Sequence, residues 1–362
     1  MFRSPTAAAT GDNGSGTGGA PAGAPGPLLA LAPMQDVTDL AFWRLMAGYG
    51  GADVYYTEYF RVHADSRLEK WILRSIDENP TGRPVVAQMI GNDVPSLVRS
   101  ARELQRHPIA AVDLNLGCPA PVVYRKCAGG GLLRDLPRVD RILGALREAV
   151  VAPVRFTVKT RIGFDSEEPL DRLLPILARH GVDLVTVHGR TVAGMYRTPV
   201  RYDLIARAAA ALPCPVLANG NIDSAAAAET VWRGAGVHGL MIGRGAIRNP
   251  WLFAQIRQHL GGTAVRYPGG HEVLAYIEAL YEAVCPPGGR EAQQVQKMKK
   301  YLNFIGLGVE PTGAFLHAIR RADSRAEFFR LCRAYLSHDD PMPLTPFPVP
   351  LGPGDVLAEA PC

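Results

Sequence analysis

Residues 154–161 read VRFTVKTR. Side chains on a strand alternate between its two faces, so Val154, Phe156 and Val158 share one face while Lys159 and Arg161 share the other. The apolar face suits a layer of covering helices. Two cations on the opposite face, at the C-terminal end, need a polar mouth to point into. That combination marks a strand of a parallel barrel, whose active site forms at the carboxyl ends of the strands. LVTVHGR (184–190) repeats it, with Val185 and Val187 outward and His188 inward. VDLNLGC (112–118) turns Val112, Leu114 and Leu116 outward and Asn115 inward. Gln88 in VVAQMIG (85–91) and Asn219 in PVLANG (215–220) fit the same count.

On either side of these stretches the chain alternates short apolar runs with Ala/Leu/Arg-rich segments of helical spacing such as Val94–Arg106, Val139–Val150, Leu170–His180, Leu204–Leu212 and Ser224–Gly234. The candidate strands are Leu28–Met34, Asp53–Tyr59, Pro84–Ile90, Ala111–Gly117, Val154–Arg161, Leu184–Arg190, Pro215–Gly220 and Gly239–Arg244. Eight successive βα units favour a closed (β/α)8 TIM barrel over an open sheet, here spanning residues 28–262. Beyond it, Glu272–Val284, Glu291–Ile305, Gly313–Arg321 and Ser324–Leu336 read as the helices of a small C-terminal domain, residues 263–338. Residues 1–27 are rich in Gly, Ala and Pro and almost devoid of large apolar side chains, the composition of a disordered tail. Residues 339–362 are Pro-rich and read as loose or draped over the surface.

Composition bounds the rest. The 362 residues are 47% hydrophobic and 20% charged, as in ordinary globular proteins. No apolar run approaches the roughly 18 residues of a membrane span, and the stretch 27–34 is too short for a signal-peptide core, so the expected location is the cytoplasm. Six cysteines without a C-x-x-C pair or zinc-type spacing read as free thiols, with no metal site. The net charge of +5 permits a polyanionic partner without requiring one.

Gln88, Asn115, Lys159, His188 and Asn219 thus bring polar groups from five strands to one mouth. Singly, each has a bland reading as a satisfied core group; together they outline a site. The last two strands end in NGNID (219–223) and GRGA (243–246), where glycines admit a ligand close to the backbone and helix amides favour an anion. Arg244 adds a charge there. A phosphate site sharing a mouth with Gln88 and Lys159 suits FMN: the amide matches an edge of the isoalloxazine ring, and the ammonium can stabilise charge near N1 and the C2 carbonyl. No G-x-G-x-x-G opens a βαβ unit, which argues against a tightly held dinucleotide.

The segments LAPMQDVTDLAFW (31–43), TEYF (57–60), AQMIG (87–91), NLGCPAPVVYRKCAGGGLL (115–133), VKTRIG (158–163), HGRT (188–191), NGNI (219–222) and IGRGA (242–246) closely resemble the tRNA-dihydrouridine synthases, in the family's order and across essentially the whole barrel. The helical segment resembles the family's tRNA-binding domain more loosely. The resemblance implies that NADPH reduces bound FMN, that a uridine of tRNA then enters, and that flavin N5 delivers hydride to C6 while Cys118 protonates C5. A thiol suits that task, since its unperturbed pKa of about 8.5 keeps it mostly protonated at neutral pH. By motif match, Pro33, Met34, Gln88, Lys159, His188, Asn219, Gly220, Gly243 and Arg244 contact FMN, and Asn115 and Arg161 recognise the base and its nucleotide. Lys126 and Gly129–Gly131 then lie near the entering RNA in a mobile loop. Family members often carry Ala or Ser among positions 129–131, so three glycines point to added mobility.

Nine basic residues against four acidic ones between Arg290 and Arg333 would help attract RNA phosphates. No protein partner is indicated. The closest competitor is an FMN barrel acting on a free pyrimidine, of the dihydroorotate type. A non-catalytic tRNA-binding protein and a non-redox barrel lyase follow. The N-x-GCP and HGRT motifs with the basic helices argue against the first, the joint presence of Cys118, Lys159 and His188 against the second, and the absence of a clear metal cluster in the sequence against the third.

Overall fold

The structure is a computed structural model and describes residues 26–347. Most of the expected tails, 1–25 and 348–362, lies outside the described residues. The strands are β1 (Leu28–Leu31), β2 (Val54–Tyr56), β3 (Phe60–Arg61), β4 (Val85–Ile90), β5 (Ala111–Leu116), β6 (Arg155–Arg161), β7 (Leu184–His188), β8 (Val216–Asn219) and β9 (Gly239–Ile242). Neighbours pair in parallel. Because β1 bonds β9 and β2, and β2 bonds β4, eight strands close into a ring: the (β/α)8 barrel expected from the strand pattern.

The ninth strand, β3, was not foreseen and continues the line of β2 along β4. Tyr56 faces Val86 and Phe60 faces Met89, so four steps on one chain match three on the other. The extra residue falls within 57–59 as a β-bulge, a device that re-aims side chains at barrel rims.

The barrel helices are α1 (Leu40–Gly48), α2 (Lys70–Glu78), α3 (Val94–Leu104), α4 (Pro121–Tyr124), α5 (Leu136–Ala149), α6 (Pro169–Arg179), α7 (Tyr202–Ala211) and α8 (Ala225–Ala235). Asp39, Asp93, Asp135 and Ser224 start four of them by accepting the backbone N–H three residues on. Then come α9 (Arg244–Arg248), α10 (Leu252–Leu260), α11 (Gly270–Val284), α12 (Glu291–Ile305), α13 (Ala314–Ile319) and α14 (Arg325–Leu336).

Strand parity sorts the side chains as the sequence requires. Val112, Leu114, Leu116, Phe156, Val158, Val185 and Val187 pack outward in the shell shared with the helices. Ala30, Val54, Tyr56, Val86, Ala111, Leu184, Leu217 and Met241 form a separate apolar cluster inside the barrel.

The helices after the barrel share its outer core without a break. Tyr301 of α12 is fully buried, its ring stacked 6.1 Å from that of Phe42 in α1, and its hydroxyl donates to the Val37 carbonyl at 3.0 Å. Lys297 and Lys300 of α12 reach Asp39 and Asp36, each at 3.8 Å. Of the Pro-rich segment, 339–347 is draped and anchored: Met342 and Leu344 are buried, Met342 N–H donates to the Pro268 carbonyl, and Leu344 accepts from the Arg248 guanidinium. Among the described residues no helix is long and apolar enough to cross a membrane, and no cluster of His, Cys, Asp and Glu could hold a metal ion.

Candidate active site

Inward-facing residues of β4 to β8 stack into polar layers above the apolar interior. The lower layer holds Asp113 and Thr157, joined through a 2.6 Å hydrogen bond from the threonine hydroxyl. Gln88 Nε2 donates to the same carboxylate at 2.8 Å, and Gln88 Oε1 accepts from Asn115 Nδ2 at 2.8 Å. Asn115 Oδ1 in turn accepts from the backbone amides of Gly117 and Cys118, both at 2.9 Å. The turn carrying Cys118 is therefore capped by a side chain from its own strand, and the thiol-bearing residue is buried beside Tyr59, Ile90 and Ala120.

From β6, next to β5, Lys159 Nζ donates to Asn219 Oδ1 at 3.1 Å, while Asn219 Nδ2 donates to the Met241 carbonyl at 2.8 Å. Burial, reinforced by the charges of Arg161, Lys159, Arg190 and Arg244, holds the His188 imidazole well below its ordinary range. It is neutral at pH 7, and its buried Nδ1 has no hydrogen-bond partner among the described residues. Beside it Gly220 adopts φ +125°, a conformation disfavoured for any side chain, and a Cβ there would press on Val200 at 3.1 Å. A Cβ on Gly243 would meet the Met34 sulfur at 3.1 Å, which brings the β1 loop carrying Pro33 and Met34 against the end of β9.

At the ends of β7 to β9, cations crowd together. Arg190 and Arg244 both donate to Asn221 Oδ1, at 3.4 and 3.0 Å, and Arg244 lies 4.5 Å over the Tyr196 ring. Burial, with Arg244 and Arg161 nearby, pushes the Arg190 guanidinium down to about 10. Two guanidiniums sharing one neutral amide oxygen form a site that an anionic ligand would relieve.

Two expectations change on meeting the structure. Gly129–Gly131 do not give a mobile loop: they are buried at the start of a 3-10 turn, residues 129–134. A Cβ on Gly130 would lie 2.5 Å from Val192, and one on Gly131 2.5 Å from the Tyr124 carbonyl. These glycines are set by packing, whereas Lys126 in the preceding segment is exposed. Arg161 is 2% exposed. It donates to the carbonyls of Gly117 (3.0 Å), Thr191 (2.8 Å) and Met195 (2.7 Å), fastening the Cys118 turn to the β7 loop.

Sequence reasoning passed over Asp113, Glu58, Arg190, Tyr196 and Asn221. Glu58 sits in the bulge and accepts the Asp36 N–H. Burial, with the charges of Asp39 and Asp36, pushes its carboxyl up to about 8, so it is mostly protonated at neutral pH. For Asp113 and Arg190 the inward parity in VDLNLGC and LVTVHGR was an available signal.

A family model described as dihydrouridine synthase matches residues 30–336. The chain belongs to the dihydrouridine synthase family. Among its relatives, a tRNA-dihydrouridine(16) synthase of Neisseria meningitidis serogroup A is 28% identical, covering 85% of this chain and 94% of the relative. A tRNA-dihydrouridine synthase B of Xanthomonas campestris is 33% identical, covering 85% and 92%. A solved histamine dehydrogenase from Rhizobium superimposes with a TM-score of 0.52 at 12% identity, over 87% of this chain and 63% of that one, a likeness of fold alone.

Proposed function

We propose that this protein reduces uridine in tRNA to 5,6-dihydrouridine, with FMN as its bound cofactor and NADPH as the reductant. The observation that carries the reading is one mouth in which the buried Cys118 turn, Lys159, His188 and Asn219 lie at the ends of β5 to β8, with Arg190 and Arg244 sharing one amide oxygen beside them. The residues fit the group: Arg190, Arg244 and the backbone at Gly220 and Gly243 suit its phosphate, the unpartnered Nδ1 of His188 awaits a polar ligand atom, and Pro33 and Met34 line the approach. When bound, FMN supplies hydride for C6 of the base. Lys159 places an ammonium where ring charge develops. Gln88 reaches the ring with whatever hydrogen-bonding capacity Asp113 and Asn115 leave it. Cys118 holds the proton destined for C5, on a turn fixed by Asn115 and Arg161.

The uracil must leave its stack to reach that depth. Asn115 and Arg161 then act on it by shaping the walls of the pocket, and Lys126 by meeting the backbone outside. The helices supply further cations, but fewer than their sequence suggests. Arg325 and Arg333 lie within 3.4 Å of Glu282 and 3.7 Å of Glu278, along a groove of about 640 Å³, and Lys297 and Lys300 face Asp39 and Asp36. Neutralising Lys299, Arg321 and Arg330 is therefore expected to weaken tRNA binding about tenfold and flatten its salt dependence, with NADPH oxidation intact. Filter binding across a salt series checks this, and unchanged binding places the RNA elsewhere.

The direct test is mass-spectrometric mapping of dihydrouridine in tRNA incubated with the purified protein and NADPH. Turnover of free orotate or uracil, with none on unmodified tRNA, would overturn the proposal.

A further inference from the structure

We infer that Asp113 is a positioning residue that fixes, through Gln88 and Asn115, the turn on which Cys118 sits. The inference rests on the proposed role of Cys118 as proton donor. Its basis is a directional series of hydrogen bonds. Asp113, on β5, is wholly buried, two residues before Asn115. One carboxylate oxygen accepts from Thr157 at 2.6 Å and the other from Gln88 Nε2 at 2.8 Å. An ionised carboxylate only accepts, whereas a carboxamide has one donating and one accepting end and can be turned either way. Asp113 therefore decides which end of Gln88 points down. With Nε2 held on Asp113, Gln88 Oε1 must face Asn115, at 2.8 Å. That draws Asn115 Nδ2 toward Gln88 and leaves Asn115 Oδ1 for the amides of Gly117 and Cys118, at 2.9 Å each. Turn the first carboxamide over and the second follows, so that an NH2 group faces two N–H donors. The series has no slack: its members face one another across neighbouring strands, with Gln88 in register with Asp113 and Asp113 with Thr157. Burial raises the Asp113 carboxyl to about 6, opposed by the Thr157 and Gln88 hydrogen bonds and the charge of Lys159. It is mostly ionised at neutral pH.

Thr157 makes the idea testable with near-isosteric changes, because a hydroxyl can donate or accept. In Asp113→Asn it can rotate to accept from the new amide, leaving the amide oxygen on Gln88 and the direction intact. Adding Thr157→Val removes that acceptor and with it the directional cue. Asp113→Leu removes the cue outright.

The experiment labels the full-length protein, as purified with its cofactor, with iodoacetamide. Peptide mapping then gives the rate at buried Cys118 relative to exposed Cys127. Dihydrouridine formation is measured in parallel. Asp113→Asn is expected to stay within about twofold of the native ratio. Asp113→Leu and the Asp113→Asn/Thr157→Val pair should raise Cys118 labelling about tenfold and lower dihydrouridine formation by a similar factor. Leu184→Ala, which opens a cavity among the apolar side chains inside the barrel, should lower Tm without moving the labelling ratio. A native ratio in both Asp113→Leu and the paired variant overturns the inference. So does an equal loss in Asp113→Asn alone, which would make charge and not direction the cause. If Asp113→Leu fails to fold, the asparagine variants decide the matter by themselves. Should native protein leave tRNA uridines unreduced while the labelling pattern holds, the functional reading fails and the positioning role stands.

Discussion

Cys118→Ala is expected to retain flavin and tRNA binding yet to lose dihydrouridine formation by about 10²–10⁴-fold, the usual contribution of a positioned general acid. Loss of the sulfur leaves the frame standing. The Cys118 amide stays on Asn115, Arg161 still ties Gly117 to the β7 loop, and the Lys159–Asn219 pair lies on other strands. Only the proposed proton source at C5 goes. Single-turnover assays with pre-reduced protein isolate that step, because NADPH oxidation precedes it and should be unchanged. Native rates in the alanine variant would remove Cys118 from the chemistry.

Lys159→Ala should lower the rate of flavin reduction by NADPH about 10²-fold, the scale seen when a fixed donor to developing negative charge is deleted. The side chain is held by Asn219 at 3.1 Å, so its charge is aimed before any ligand arrives. A second readout comes from His188. Lys159 is one of four cations that depress the imidazole. Removing one of these repelling charges must raise the His188 pKa, although burial keeps it below the ordinary value. Stopped-flow absorbance and an NMR titration of His188 check the two expectations. An unchanged reduction rate would mean that the ammonium does not face the flavin.

The barrel was legible because parity is a local property. VRFTVKTR states its inner and outer faces within eight residues, and Lys159, His188, Asn115, Gln88 and Asn219 fall inward as their neighbours require. What stayed hidden depends on partners far along the chain. Asp113 shares the inward parity of Asn115, but its importance comes from Gln88 and Thr157, 25 and 44 residues away. Arg161 carries the right charge in the right place, yet three carbonyls from two loops engage it. The bulge that buries Glu58 is a matter of register between strands, and no residue type announces it. The glycines at 129–131 read as freedom in the sequence and are crowding in the fold. The basic helices look strongly cationic until Glu278 and Glu282 of α11, and Asp36 and Asp39 beside β1, are seen to answer them.

The seating of α12 on the stretch between β1 and α1 bears on how this enzyme could be re-engineered. Tyr301, Lys297 and Lys300 grip residues 36–42, directly after the Pro33–Met34 pair of the proposed cofactor site. A chimera that took its helices from a relative with another target nucleotide would also need that relative's first loop. Without it, the graft would tilt on an ill-matched seat and disturb the flavin it was meant to leave alone.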